Sequence, residues 1–248
     1  MQFQTKLAST FARLPAATEA DNANHNSASG QSQLFGARFY EILNENPGDE
    51  TTTFAFALFI GAQALRQAGK SLCVCAPAVQ AQELGRLYGH GLAGLGIEAD
   101  RVLMVAAASE KDLLWTLEEA VASGGFGAVI GSLGAKERLY GFPASRRLKL
   151  RAAVSRTPLF LLRHRLSGGA TAAHGRWRIG ALPSRSEGQH AGYNLLGPPR
   201  LRLGLERMGG QPPREWEMDF DGACGFHMAA VLEDRPAGAP GKRRHQAA

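Results

Sequence analysis

The residues of this 248-residue chain that come nearest to chemistry by type and spacing are Asn46-Pro47-Gly48-Asp49-Glu50-Thr51-Thr52-Thr53. An apolar run, Phe39-Tyr40-Glu41-Ile42-Leu43, precedes them and reads as a strand. Residues 54–68, with Phe54, Leu58, Ile60 and Leu65, follow and read as a helix. A turn with glycine and threonine between a strand and a helix is the setting of a phosphate-binding loop. There glycine lets the backbone approach the phosphates and a lysine reaches the β/γ-phosphates, in the order G-x-x-x-x-G-K-[ST]. Here Gly48 and the threonines stand in the right place, without a second glycine or any lysine. Glu50 adds negative charge where an anion would sit, which repels phosphate. Gly48, Asp49, Glu50, Thr51 and Thr52 therefore read as a degenerate nucleotide loop, and no cofactor is expected.

Other chemistry finds less support. Cys73 and Cys75 alternate inside an apolar run and read as buried strand residues on one face, with Cys224 far off in sequence. A disulfide framework or zinc site needs more ligands at better spacing, so no metal is expected. His164, His174, His190 and His227 have no metal-ligand spacing and read as loop histidines. Trp115, Trp177 and Trp216 read as core anchors. A serine hydrolase needs a Gly-x-Ser-x-Gly elbow or a placed Ser/His/Asp set, and nothing matches, so no catalytic residue is expected.

With 44% hydrophobic residues the chain can bury one sizeable core. No run approaches the ~18 apolar residues of a membrane span. The start, Met1-Gln2-Phe3-Gln4-Thr5-Lys6, lacks a basic region followed by an apolar one, so a soluble protein that is not exported is expected. The net charge of +6 hides an asymmetry. Residues 1–135 carry 8 Lys/Arg against 13 Asp/Glu, and residues 136–248 carry 20 against 9. Within 136–178 there are 11 basic residues and one acid, Glu137. Such density favours a polyanionic partner, nucleic acid first, over the plainer reading of a solvated basic surface.

The elements that must position these groups alternate. Residues 71–76 form a short strand, 79–89 a helix with Leu84, Leu87 and Tyr88 on its apolar face, and 101–105 the next strand. Ser109-Glu110-Lys111-Asp112 caps a helix that runs to about residue 123 and buries Leu113, Leu117, Ala120 and Val121. A strand at 127–130, a helix at 145–155 and a strand at 158–162 follow. Continuous apolar strands separated by helices predict an α/β fold with a mainly parallel sheet covered on both faces. From Trp177 the pattern changes. Residues 200–207 alternate with Leu201, Leu203 and Leu205 inward, and 215–220 with Trp216, Met218 and Phe220 inward. Gly209-Gly210-Gln211-Pro212-Pro213 turns between them, which predicts an antiparallel hairpin extending the sheet. The expected organisation is a flexible N-terminal segment at 1–32, one domain at 33–222 and a disordered basic tail at 223–248. A short helix at 5–13, with Leu7, Phe11 and Leu14 on one face, could dock on a partner.

This order of strand, degenerate loop, buried helix, further βα units and closing arginine-rich hairpin resembles the RecA core, and within it the ImuA family of bacterial damage-inducible mutagenesis cassettes, also called SulA-like. The residues that carry the likeness are Leu114-Trp115 with Glu119-Ala120, the stretch from Ala144 to Leu150, that from Thr157 to Arg163, Arg176-Trp177-Arg178-Ile179, and Pro199 to Arg207 followed by Trp216. Together they span roughly residues 35–221. The resemblance implies a RecA-like core with three chemical roles empty. The lysine of the phosphate loop is missing. Gly131-Ser132 stands where an Asp supporting Mg²⁺ would end a strand, and Ala76-Pro77-Ala78 where a water-activating Glu would follow one. Loss of all three argues against ATP hydrolysis. The DNA-binding loops of a RecA core would map to 135–142 and 163–175. Lys136, Arg138, Arg146, Arg147, Arg163, Arg165 and Arg176 are then candidates for phosphate contact, and Tyr140 or His164 for stacking.

The expected function is that of a non-catalytic accessory protein of the SOS-type DNA damage response. It would support error-prone translesion synthesis through contacts with RecA, a Y-family polymerase homologue, an error-prone replicative-type polymerase and single-stranded DNA. It would work in the cytoplasm, at the nucleoid. The alternatives are a SulA-like cell-division inhibitor and a divergent RecA-type ATPase. The basic stretch at 136–178 favours the adaptor, because an inhibitor that binds only protein has no need of it.

Overall fold

The first strand, β1 (Phe39–Asn44), is buried at every position, which an edge strand or a one-faced sheet could not achieve. Strands β2 (Ser71–Pro77), β4 (Phe126–Ser132) and β5 (Leu159–Arg163) are buried nearly as fully. The computed structural model describes residues 38–68, 70–84, 87–134, 137–184, 197–220 and 226–232. Among them one nine-stranded sheet runs in the order β3-β2-β4-β5-β1-β6-β7-β8-β9. The remaining strands are β3 (Val102–Ala107), β6 (Gly175–Leu182), β7 (Arg200–Met208), β8 (Arg214–Phe220) and β9 (Phe226–Leu232). From β3 to β6 neighbours pair in parallel, and from β6 to β9 they pair antiparallel.

Alternate residues of the parallel strands feed two separate cores. Tyr40, Ile42, Val74, Ile130 and Phe160 point to the face covered by α1 (Glu50–Ala68), where Phe56, Phe59 and Ile60 meet them. Phe39, Cys73, Cys75, Val129 and Leu161 point to the other face, beneath α4 (Glu110–Ala122) and α5 (Phe142–Ser155). Trp177, Ile179, Leu201, Leu203, Leu205, Trp216 and Met218 join the α1 core, so the antiparallel half is apolar on one face. Its other face carries ion pairs, among them Arg178 with Glu206, Arg200 with Glu217 and Asp219, and Arg202 with Glu45. The α/β class, the mainly parallel sheet and the closing antiparallel hairpin are as expected.

Local signals account for most boundaries. Ser109 caps α4, its Oγ accepting from the Asp112 N–H at 3.1 Å. Gly209 and Gly210 hold positive φ in the β7–β8 turn. Pro143 stands in the first turn of α5, where its missing N–H has no partner to lose. Three expectations are corrected. The helix expected over 79–89 is two short ones, α2 (Ala78–Leu84) and α3 (Gly89–Gly94). Tyr88 is extended (φ −77, ψ 115) and exposed rather than on an apolar helix face; three glycines in the next six residues weaken helix propagation there. Trp115, expected as a core anchor, is instead 65% exposed on α4, whereas Trp177 is buried in β6, which pairs with both β1 and β7. The sheet also continues past residue 222, because β9 pairs with β8 inside what was expected to be tail. Phe226-His227-Met228-Ala229-Ala230-Val231-Leu232 lacks the strict alternation that marks its two neighbours. Leu7, Phe11, Leu14, Lys136, Cys224 and the basic tail lie outside the described residues.

Candidate functional site

The loop between β1 and α1 closes on its own side chains. Asn44, at the end of β1, donates from Nδ2 to the Asn46 carbonyl (2.8 Å) and to Glu50 Oε1 (3.0 Å). Asp49 is buried, and its Oδ2 accepts from both the backbone N–H and the side-chain amide of Asn46, each at 2.9 Å. Gly48 supplies the left-handed residue (φ +91) that lets the turn close. Thr53 is buried, with its hydroxyl and its N–H both donating to the Asp49 carbonyl at 2.8 Å. Two carboxylates thus occupy the N-terminus of α1, where the helix dipole favours negative charge and an incoming phosphate would otherwise settle. A further anion 4 Å from one of them is repelled by about 4 kcal/mol at an effective dielectric of 20.

Beside the loop a cavity of about 550 Å³ opens at the C-terminal ends of β1, β2, β4 and β5. Its walls include Phe54, Val74, Leu87, Leu133 and Leu162, and Glu50 and Thr51 stand at its polar end. Ser132 also faces it and donates to Gln80 Oε1 at 2.8 Å. The neighbouring Gly131 cannot carry a side chain without displacing others. A Cβ there would lie 2.7 Å from Leu117 Cδ1 and 3.0 Å from Leu161 Cδ1. The glycine at the expected acid position is therefore a packing requirement of the α4 core. Cys73 and Cys75 share that core, and burial pushes their thiols up to about 11 and about 12.

The residues expected to contact DNA are not brought to one surface. Arg163 is turned inward with a side chain 3% exposed, paired to Glu137 at 2.6 Å and to Glu41 at 3.1 Å. Its guanidinium also lies over the Tyr140 ring, 4.7 Å from the centroid. Arg176 pairs with the other Glu41 oxygen at 2.8 Å and donates to the Gly169 carbonyl at 3.1 Å. Tyr140 is buried rather than free to stack, and its hydroxyl donates to Glu41 Oε1 at 2.5 Å. Burial first, then the Glu41 charge, holds that phenol far above its ordinary range. Ser167 Oγ donates to Glu137 Oε1 at 2.8 Å. The two loops expected to grip DNA are thereby tied to each other across the ends of β5, β1 and β6.

Glu41 is the centre of this network, and its sequence context is the signal that marks it. A carboxylate inside Phe-Tyr-Glu-Ile-Leu on a fully buried strand must have cationic or hydrogen-bonding partners. Glu110 plays a second hidden role: its carboxylate accepts from the backbone N–H groups of Arg138, Leu139 and Tyr140 at 2.9 to 3.0 Å and fixes the approach to α5. Of the remaining candidates, Arg138 and Arg146 are exposed. Arg147 pairs with Glu118 at 2.8 Å. His164 is half-buried in a turn, with Nδ1 accepting from the Leu166 N–H at 3.3 Å. Arg165 is half-buried too, and its carbonyl accepts from Arg178 at 3.2 Å.

His174, just before β6, stands beside the start of β1, its backbone N–H donating to the Phe39 carbonyl at 2.8 Å and its ring accepting from Arg38 Nη1 at 2.9 Å. Burial first, then the charges of Arg38 and Lys149, lowers its pKa to about 4. The unfolded chain takes up this proton near pH 6.5 and the folded one only near 4. Stability therefore falls as pH drops through that window. An NMR titration is expected to place the His174 midpoint near 4, and His174→Gln to flatten the loss of stability between pH 6.5 and 4. A midpoint above 6 would contradict the buried, cation-flanked setting.

No family model matches the chain. Protein ImuA of Caulobacter vibrioides, in each of two strains, is 32% identical over 168 residues, an alignment covering 62% of this chain and 66% of the relative. The chain thus spans just under two thirds of the length of the curated relatives it matches. Over the aligned residues the chain is similar to Protein ImuA.

Proposed function

We propose that the chain is a non-catalytic, RecA-like accessory protein of damage-inducible mutagenesis, an adaptor for error-prone translesion synthesis. Its relationship to Protein ImuA supports the damage-response setting. The observation that carries the non-catalytic part is the loop at the N-terminus of α1. There Asp49 accepts the Asn46 N–H and Glu50 the Asn44 amide, so donors that could meet a phosphate are already engaged by carboxylates. RecA, the Y-family polymerase homologue and the error-prone replicative-type polymerase are the partners of this reading. Protein contacts lead in it and contact with single-stranded DNA is secondary, because Arg163 and Arg176 face inward.

Two measurements test it. Millimolar Mg-ATP is expected to leave the melting temperature unchanged; a rise of more than about 2 °C would mean nucleotide binding and sink the non-catalytic reading. Pull-downs with RecA and with the polymerase homologue, with and without single-stranded DNA, are expected to retain at least one of them in the absence of DNA. Retention of neither would overturn the adaptor.

A further inference from the structure

The outer surface of α5 combines features that a merely solvated helix does not need. Leu148, Ala144, Ser145 and Ala152 face the core. On the opposite side Phe142, Arg146, Leu150 and Val154 follow one another at four-residue spacing, so they form one ridge along the helix. Phe142 is 51%, Leu150 56% and Val154 87% exposed. Trp115, 65% exposed, stands one turn before Glu118 on the adjoining α4, and Glu118 is the residue that pairs with Arg147 of α5. Three large apolar side chains this exposed on one helix face exceed the scattered single residues of an ordinary surface. Charge specifies the partner. Residues 138–158 carry six Lys/Arg and no Asp or Glu. Arg147 and Arg151 are neutralised by Glu118 and Glu119 of α4, while Arg146 on the ridge and Lys149 next to Leu150 in sequence are exposed and without an ion pair among the described residues.

We propose that the ridge Phe142–Arg146–Leu150–Val154 of α5 docks an acidic amphipathic helix of a partner protein. Apolar positions on that helix cover Leu150 and Val154, and its Glu/Asp flanks pair with Arg146 and Lys149. Nucleic acid fits the same face less well, since a phosphate backbone would meet the cations and leave Leu150 and Val154 uncovered. The inference deepens the adaptor reading and rests on it for the existence of a protein partner.

The test uses the full chain and three probes: a synthetic helical peptide with a leucine stripe flanked by glutamates, its twin with every glutamate changed to lysine, and a single-stranded oligonucleotide. Fluorescence anisotropy is expected to show the acidic peptide binding at least about tenfold more tightly than its twin. Leu150→Glu is expected to weaken it by about tenfold or more, and Arg146→Ala by a few-fold. Both positions are solvent-facing, so unchanged melting temperatures would certify that these variants fold. Equal affinity for the two peptides, indifference to Leu150→Glu, or binding of the oligonucleotide alone would each overturn the proposal. Each of those failures leaves the adaptor to be decided separately, by the pull-down with RecA and the polymerase homologue.

Discussion

Replacing Glu41 by alanine is expected to lower folding stability by about 3–5 kcal/mol, the cost of breaking a buried ion pair and leaving its partner charged. Two guanidinium groups depend on this one carboxylate: Arg163 on one oxygen and Arg176 on the other, with the Tyr140 hydroxyl as a third donor. Glu41 itself is fully buried, so water cannot take its place without opening the sheet end. With Glu137 included, the cluster balances two carboxylates against two guanidinium groups, and deletion of one anion leaves an excess buried positive charge. Glu41→Gln keeps the shape and one acceptor oxygen but turns an NH2 donor toward a guanidinium, so its loss should be only somewhat smaller, while Tyr140→Phe removes one hydrogen bond and should cost about 1–2 kcal/mol. Urea denaturation read by circular dichroism checks the order Glu41→Ala, Glu41→Gln, Tyr140→Phe. A loss below about 1 kcal/mol for Glu41→Ala would show that the network relaxes without it. Hydrogen exchange should also accelerate at Leu139 and Tyr140 and around Thr171, because the same cluster ties both loops down.

That network explains why the fold was more legible in the sequence than the site. Apolar runs such as Ser71–Pro77, the cap at Ser109 and the alternation around Trp216 are local signals, and each led to the element observed. The charge density of 136–178 was equally visible, but composition counts cations without showing which acids they meet. Glu41 lies 122 residues from Arg163 and 135 from Arg176, so only the closing of β5 and β6 onto β1 joins them. The same blindness to tertiary pairing hid β9, whose residues pair with β8 without alternating as it does. At Tyr88 the error was local: the apolar periodicity favoured continuing a helix, and the glycine-rich stretch that follows it prevailed. That the loop after β1 has no lysine is plain from the sequence and needs no third dimension. What the structure added there is that Asp49 and Glu50 are held by Asn46 and Asn44.

Gly131 carries that argument one step further. If the chain were an ATPase that had lost its metal-supporting acid by a single change, Gly131→Asp should be tolerated and should begin to restore Mg-nucleotide binding. The packing predicts the reverse. A Cβ at this position would sit inside contact distance of both Leu117 methyl groups and of Leu161, on a strand buried between β2 and β5. Gly131→Ala alone should therefore cost about 1–3 kcal/mol through overpacking. Gly131→Asp adds the burial of a charge whose neighbours there are leucines, so its loss should exceed that of alanine and approach the several kcal/mol of an uncompensated buried ion. Equilibrium unfolding of the two variants measures the order, and a thermal scan with Mg-ATP measures whether any nucleotide binding returns. A stable Gly131→Asp protein whose melting temperature rises with Mg-ATP would mean that the site is dormant. The expected result, a destabilised protein indifferent to nucleotide, would mean that α4 has packed into the space the acid would need, and that returning the carboxylate alone does not reverse the loss.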